Sequence, residues 1–195
     1  MKITVTFNAN ERLLEAALYL PDIDTKDPMA GLLFEGSMTG ATTQITEYMA
    51  RQISQQGFAC LVLDHSFYGD DELSPQPWES PAKRIQDIKA GFKFLQAQPL
   101  VDPEKIIGVG VSVGAEFIAH AIRETEFCKG LVMIEGPYDD SQNYVGELDV
   151  PTVVVDEDHM DSAIDQTVLW VRTMWDTNRQ WPSRDNSIDW SLMDE

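Results

Sequence analysis

The sequence is short of cations, cysteine and histidine, and each shortage narrows what the chain does. Lysine and arginine total 14 against 33 aspartates and glutamates, a formal net charge of −19. So acidic a surface repels polyanions, which argues against nucleic acid and anionic membranes as partners. The two cysteines, Cys60 and Cys128, lie at the edges of apolar runs and outside any CxxC or metal-type spacing. They read as buried free thiols suited to a reducing cytoplasm, and no metal or cofactor is expected. No run approaches the roughly 18 apolar residues of a membrane span, and MKITVTFNANERLL lacks the apolar stretch of a secretory signal. The expectation is a cytoplasmic protein that does not enter a membrane. Histidine is scarce too: His65, His120 and His159 are the three.

What is present is ordinary for a folded protein. Hydrophobic residues make up 43% and charged residues 24% of 195 positions, which suits one well-filled domain, 1–195, and is too short for two enzyme domains. There is no repeat, low-complexity tract or linker. Apolar β-branched runs alternate with segments of helical periodicity, the pattern of an α/β fold whose mostly parallel sheet is covered by helices on both faces.

Ile3 to Phe7 and Leu14 to Leu20 flank Asn8-Ala9-Asn10 and read as an amino-terminal antiparallel hairpin. Ala30 to Phe34 is a buried strand. Thr43 to Gln56 follows as a helix with Ile45, Met49 and Ile53 on one face and Gly57 as its stop. Cys60 to Asp64 is the next strand, and His65 to Pro81 is a long loop. Pro81 opens a helix to about Gln98, on which Ile85, Ile88, Phe92 and Leu95 fall three or four apart. Lys105 to Val111, Gly130 to Ile134 and Thr152 to Val155 are strands, and Ala115 to Arg123 is a helix. A last helix carries Ile164, Val168, Val171 and Trp175 on one stripe, and no strand is legible from Gln180 to Glu195.

Where the strand Lys105 to Val111 gives way to a helix stands Gly110-Val111-Ser112-Val113-Gly114. Gly-x-Ser-x-Gly at such a junction puts serine on a strained strand-to-helix turn, with glycines where neighbouring backbone passes close. Ser112 is then a nucleophile exposed at the carboxyl edge of the sheet, and the Val113 N–H faces a developing oxyanion at the positive end of the helix. Two other readings compete: Ser112 as a simple N-cap beside packing glycines, and Gly108, Gly110 and Gly114 as a dinucleotide loop with Glu135 as the ribose acid.

Three further motifs precede this nucleophile elbow, Gly110 to Gly114, in order: Phe34-Glu35-Gly36-Ser37, Asp64-His65-Ser66-Phe67-Tyr68-Gly69 and Val101-Asp102-Pro103-Glu104-Lys105-Ile106. With them, Met29 to Asp161 resembles the dienelactone-hydrolase-like branch of the α/β hydrolases. The resemblance implies a three-layer α/β-hydrolase-like sheet, Ser112 as nucleophile, Ser37 and Val113 N–H groups as the oxyanion hole, and a structural role for Asp64. It also exposes a departure, since Glu35 replaces the usual histidine before Gly36 and brings a carboxylate near a site that must stabilise negative charge.

A serine hydroxyl needs a base to take its proton and an acid to orient that base. After Thr152 to Val155 come Asp158 and Asp161, either of which suits the acid. The family's histidine belongs beyond Met160, and this sequence has none there. His120 lies two turns into the helix after the elbow and points away. His65 stands at the correct edge, at a position where relatives carry arginine or tyrosine. His159, in an acidic loop on the catalytic edge, is the substitute. The segment between Glu135 and Pro151 leaves little room for a lid domain, which suits compact substrates. Two functions follow: a serine hydrolase of a small-molecule acyl substrate (ester, lactone or thioester) with Ser112, His159 and Asp158 as an atypical triad, or a catalytically inactive pseudohydrolase kept as a binding module, with Glu35 a second lesion.

Overall fold

A computed structural model describes residues 1–10, 12–23, 27–36, 40–65, 80–134, 148–155 and 159–175, with backbone alone for 40–43. Through them run β1 (Lys2–Ala9), β2 (Arg12–Tyr19), β3 (Met29–Glu35), α1 (Gly40–Ser54), β4 (Ala59–Asp64), α2 (Pro81–Gln96), β5 (Val101–Val111), α3 (Val113–Arg123), β6 (Gly130–Ile134), β7 (Thr152–Val155) and α4 (Met160–Thr173). The sheet order is β1-β2-β4-β3-β5-β6-β7. β1 and β2 form the antiparallel hairpin, β2 joins β4 antiparallel, and the remaining neighbours are parallel.

Period-two alternation sorts the strand side chains into two layers. Leu33, Leu61, Leu63, Ile106 and Leu131 pack under α2 and α3 with Ile88, Phe92 and Ile118. Leu32, Phe34, Val62, Val109 and Ile134 pack under α1 and α4 with Met49, Ile53, Val168 and Trp170. Full burial of such a side chain contributes about 1.5–3 kcal/mol, so the helical layers on both faces hold the sheet. The layered α/β architecture read from the sequence is the one observed.

Some boundaries differ, for local reasons. β5 begins at Val101, ahead of Lys105, because pairing with β3 slips between Met29↔Val101 and Gly31↔Ile106. Pro103, with no N–H for a ladder, falls within that slip. The hairpin strands run through Ala9, and the turn is made at Asn10 with φ 47, a left-handed conformation asparagine tolerates. α1 starts at Gly40 and α3 at Val113, ahead of Thr43 and Ala115. Trp170 is fully buried although the periodicity read on α4 omitted it. The loop after His65, Trp78 and the tail from Gln180 lie outside the described residues. Cys60 and Cys128 are buried free thiols, and burial pushes Cys60 well up and Cys128 to about 12, so neither is a nucleophile near neutral pH. No helix among the described residues is long and apolar enough to cross a membrane.

The topology also locates a site. From β3 the chain passes through α1 to β4 on one side, while β5 lies on the other, so the strand order reverses between β3 and β5. Parallel sheets bind ligands at such a reversal, outside the carboxyl ends of the strands.

Candidate active site

Ser112 stands at that point, on the turn from β5 into α3, with φ 54 and ψ −130. Its N–H donates to the Ile134 carbonyl at 2.8 Å, and its carbonyl accepts from the Ala115 N–H at 3.0 Å. Both bonds hold the backbone in a region that non-glycine residues rarely occupy. The side chain makes no capping hydrogen bond and the backbone is not the extended one of an N-cap, so the N-cap reading fails.

The flanking glycines are demanded by close approach. A Cβ on Gly110 would lie 2.2 Å from Ala115 Cα, and one on Gly114 would lie 2.3 Å from the Glu35 carbonyl oxygen. Gly108 would meet Ile118 Cγ2 at 2.4 Å. These glycines therefore seat α3 against β5 and the end of β3. A dinucleotide loop would follow the first strand of the parallel set, here β3, and would face phosphate, so that reading loses its support. Its proposed acid, Glu135, lies outside the described residues.

The other site residues are distributed unevenly. Val113 opens α3 directly beside Ser112. Ser37 and Asp158 lie outside the described residues. His159 is exposed and immediately precedes α4, beyond β7 on the same edge as Ser112, with only β6 between β7 and β5. Asp161, in the first turn of α4, accepts a hydrogen bond from the Tyr48 hydroxyl at 3.4 Å. His120 is half-buried near the end of α3, away from the elbow.

The sequence reading missed a buried charge cluster beside the elbow. Glu35 is 1% exposed, on the face of the sheet under α2. Its Oε1 receives Arg84 Nε at 2.8 Å, and its Oε2 lies 2.9 Å from His65 Nε2. His65 Nδ1 lies 3.5 Å from Asp87 Oδ2, and Arg12 pairs with the Asp87 carboxylate. Arg84 also donates to the Gly36 carbonyl at 3.2 Å and stacks over Phe117 at 5.2 Å. Burial would raise the Glu35 pKa, but the His65 and Arg84 charges outweigh it and hold the carboxyl below its usual range. Glu35 is thus a neutralised partner and no lesion. The signal was in the sequence: Arg84 and Asp87 occupy the core-facing stripe of α2 with Ile88, Phe92 and Leu95.

The same cluster decides what His65 does. Burial alone would lower its pKa, yet Glu35 and the hydrogen bonds to Asp87 and Glu35 raise it to about 9. An imidazolium with both ring nitrogens facing carboxylates has no lone pair for a serine proton. His65 binds its proton more tightly folded than unfolded, so its contribution to stability is complete below about pH 6.5 and is lost as pH climbs through about 9. The stability advantage of wild type over His65→Gln, from urea unfolding, is expected to shrink by about 2–3 kcal/mol across that window. A flat difference would show His65 neutral.

No family model matches the chain. The quorum-quenching protein AidA of Acinetobacter baumannii is 26% identical over 112 residues, 57% of this chain and 36% of AidA. Among solved structures, a dienelactone hydrolase from Anabaena variabilis superposes with a TM-score of 0.64 at 18% identity, covering 88% of this chain and 81% of that one. The esterase domain of a Rhodothermus marinus protein superposes with a TM-score of 0.52 at 26% identity, covering 75% and 54%. The chain spans less than half the length of the curated relatives it matches. Sheet order, elbow and neighbours agree: the chain has the α/β-hydrolase fold, similar to that of dienelactone hydrolase.

Proposed function

We propose that the chain is a serine hydrolase of small esters, lactones or thioesters, with Ser112 as nucleophile. The carrying observation is the backbone of Ser112, held at φ 54 between two glycines that admit no side chain. Such strain persists only where the surroundings enforce it, and it is characteristic of functional sites. The esterase domain and dienelactone hydrolase among its structural neighbours act in the same direction.

In this reading Ser112 Oγ attacks the acyl carbon and passes its proton to His159. The oxyanion is received by the Val113 N–H at the positive end of α3 and by the Ser37 N–H after Gly36. Collapse expels the alcohol or thiol, which takes the proton from His159, and water then releases the acyl group by the same route in reverse order. Asp158 orients His159; Asp161 is less suited, because its carboxylate accepts from Tyr48 on α1. His65 is not the base in this reading, because both its ring nitrogens face carboxylates, Glu35 at 2.9 Å and Asp87 at 3.5 Å.

Hydrolysis of p-nitrophenyl acetate tests the assignment. His159→Ala is expected to lower kcat by at least about 100-fold, the usual scale of a lost general base, while His120→Ala leaves it unchanged. A wild-type kcat in His159→Ala would sink the assignment of His159 as the base.

A further inference from the structure

His65 sits where its ring is held in the charged form by position. Its Nε2 lies 2.9 Å from Glu35 Oε2 and its Nδ1 3.5 Å from Asp87 Oδ2. A neutral imidazole has one N–H, so one nitrogen would set a lone pair against a carboxylate. The charged groups around the ring come from three elements: Glu35 from β3, Arg84 and Asp87 from α2, and Arg12 from β2, which pairs with Asp87 as Arg84 pairs with Glu35. Asp64, the residue before it, lines a different hollow with Lys2, Glu15 and Glu47. Loss of the His65 proton makes this cluster one unit more negative.

The sheet places that charge level with the elbow. Val62, Phe34 and Val109 stand in one row across β4, β3 and β5, and His65 and Ser112 each follow that row by three residues. Neighbouring strands lie about 4.8 Å apart, so two spacings, about 10 Å, separate the two residues. β3 fills the gap, with Phe34 and Glu35 each 1% exposed and the Glu35 carbonyl against the start of α3. A field that crosses buried protein is screened far less than one that crosses water. We propose that His65 acts on the reaction by its charge: the proton it carries stabilises, from across β3 and without touching substrate, the oxyanion formed at Ser112. A unit charge at about 10 Å, in an effective dielectric of about 20, changes the rate of a step that develops a negative charge by about ten-fold. The same proton offsets the Glu35 carboxylate, whose own field opposes an oxyanion.

This inference rests on the proposed hydrolase reading, and the test separates the two. Turnover of p-nitrophenyl acetate by wild type, Ser112→Ala, His65→Gln and Asp87→Asn is followed from about pH 6 to about pH 10.5, with far-UV circular dichroism at each pH. Wild-type kcat is expected to fall about ten-fold through an ionisation at about 9, since burial lowers the His65 pKa but Glu35 and Asp87 raise it further. His65→Gln, which removes the charge and keeps a hydrogen-bonding side chain, is expected to lie about ten-fold below the wild-type plateau and to show no such fall. Asp87→Asn removes one of the groups that raise His65 and is expected to move the fall to lower pH. A histidine with a structural role alone moves no limb of the profile. Should His65→Gln fail to fold, the His65 Cε1–H resonance of wild type, followed by NMR, is expected to titrate together with kcat. A fall that tracks loss of the far-UV signal, a fall that persists in folded His65→Gln, or a wild-type kcat that stays level while the His65 resonance titrates overturns the role of the charge alone. Wild-type turnover unchanged by Ser112→Ala overturns the hydrolase reading and this inference with it.

Discussion

Ser112→Gly is expected to make the protein more stable and inactive. A non-glycine residue at φ 54, ψ −130 carries strain of about 1–3 kcal/mol, which glycine does not feel. Against that relief stands the extra freedom of glycine in the unfolded chain, about 0.5–1 kcal/mol. The net expectation is a gain of about 1 kcal/mol in urea unfolding. Ser112→Ala keeps the strain and is expected to unfold at the wild-type midpoint. Both remove the attacking oxygen, and both are expected to lower kcat by at least about 1,000-fold, since loss of a nucleophile in a triad is the costliest single change. A stabilised, inactive Ser112→Gly ties the strained backbone to function; a destabilised one would mean the turn is not strained.

Gly110→Ala and Gly114→Ala are expected to cost large amounts of stability, because the added methyl meets main chain in both. The new Cβ atoms would lie 2.2 Å from Ala115 Cα and 2.3 Å from the Glu35 oxygen, distances at which main chain must move. No rotamer relieves an overlap with backbone, so α3 has to lift from β5 and from the end of β3. Overpacking in a filled core costs about 1–3 kcal/mol where side chains yield. Here they do not, and a loss above about 3 kcal/mol is expected, a large part of the 5–15 kcal/mol typical of a domain. Gly57→Ala is the internal comparison: its φ is 100 and nothing lies within 4 Å of the added carbon, so only conformational strain acts. Its expected cost is about 1 kcal/mol. Equal costs at Gly57 and Gly110 in urea titrations would refute the close-approach account.

The elbow was legible because its chemistry is local. Strand, Gly-x-Ser-x-Gly and helix are read in order along the chain, and the strain at Ser112 follows from that order. The layers were legible for a similar reason, since Leu32, Leu33 and Phe34 alternate between faces by the period of a strand. The charge cluster was not, because its members come from β2, β3, α2 and the residue just past β4, 75 residues apart in the case of Arg12 and Asp87. Glu35 viewed alone is a carboxylate near an oxyanion site, and His65 viewed alone is a base at the right edge. Only their mutual distance turns one into a counter-ion and the other into a cation. The stripe of α2 held a warning, as Arg84 and Asp87 share its buried face with Phe92, and charges on such a face require partners. The slip at Pro103 was invisible for the opposite reason: it depends on the register of β3, a strand some seventy residues upstream.

Hydrolysis by this chain requires that Ser112 be a nucleophile. Incubation of the folded chain with a fluorophosphonate, followed by intact mass and peptide mapping, reads this directly. The expected result is a single adduct on Ser112, absent from Ser112→Ala and formed more slowly by His159→Ala. A folded wild type that stays unlabelled, or an adduct that persists in Ser112→Ala, would contradict it.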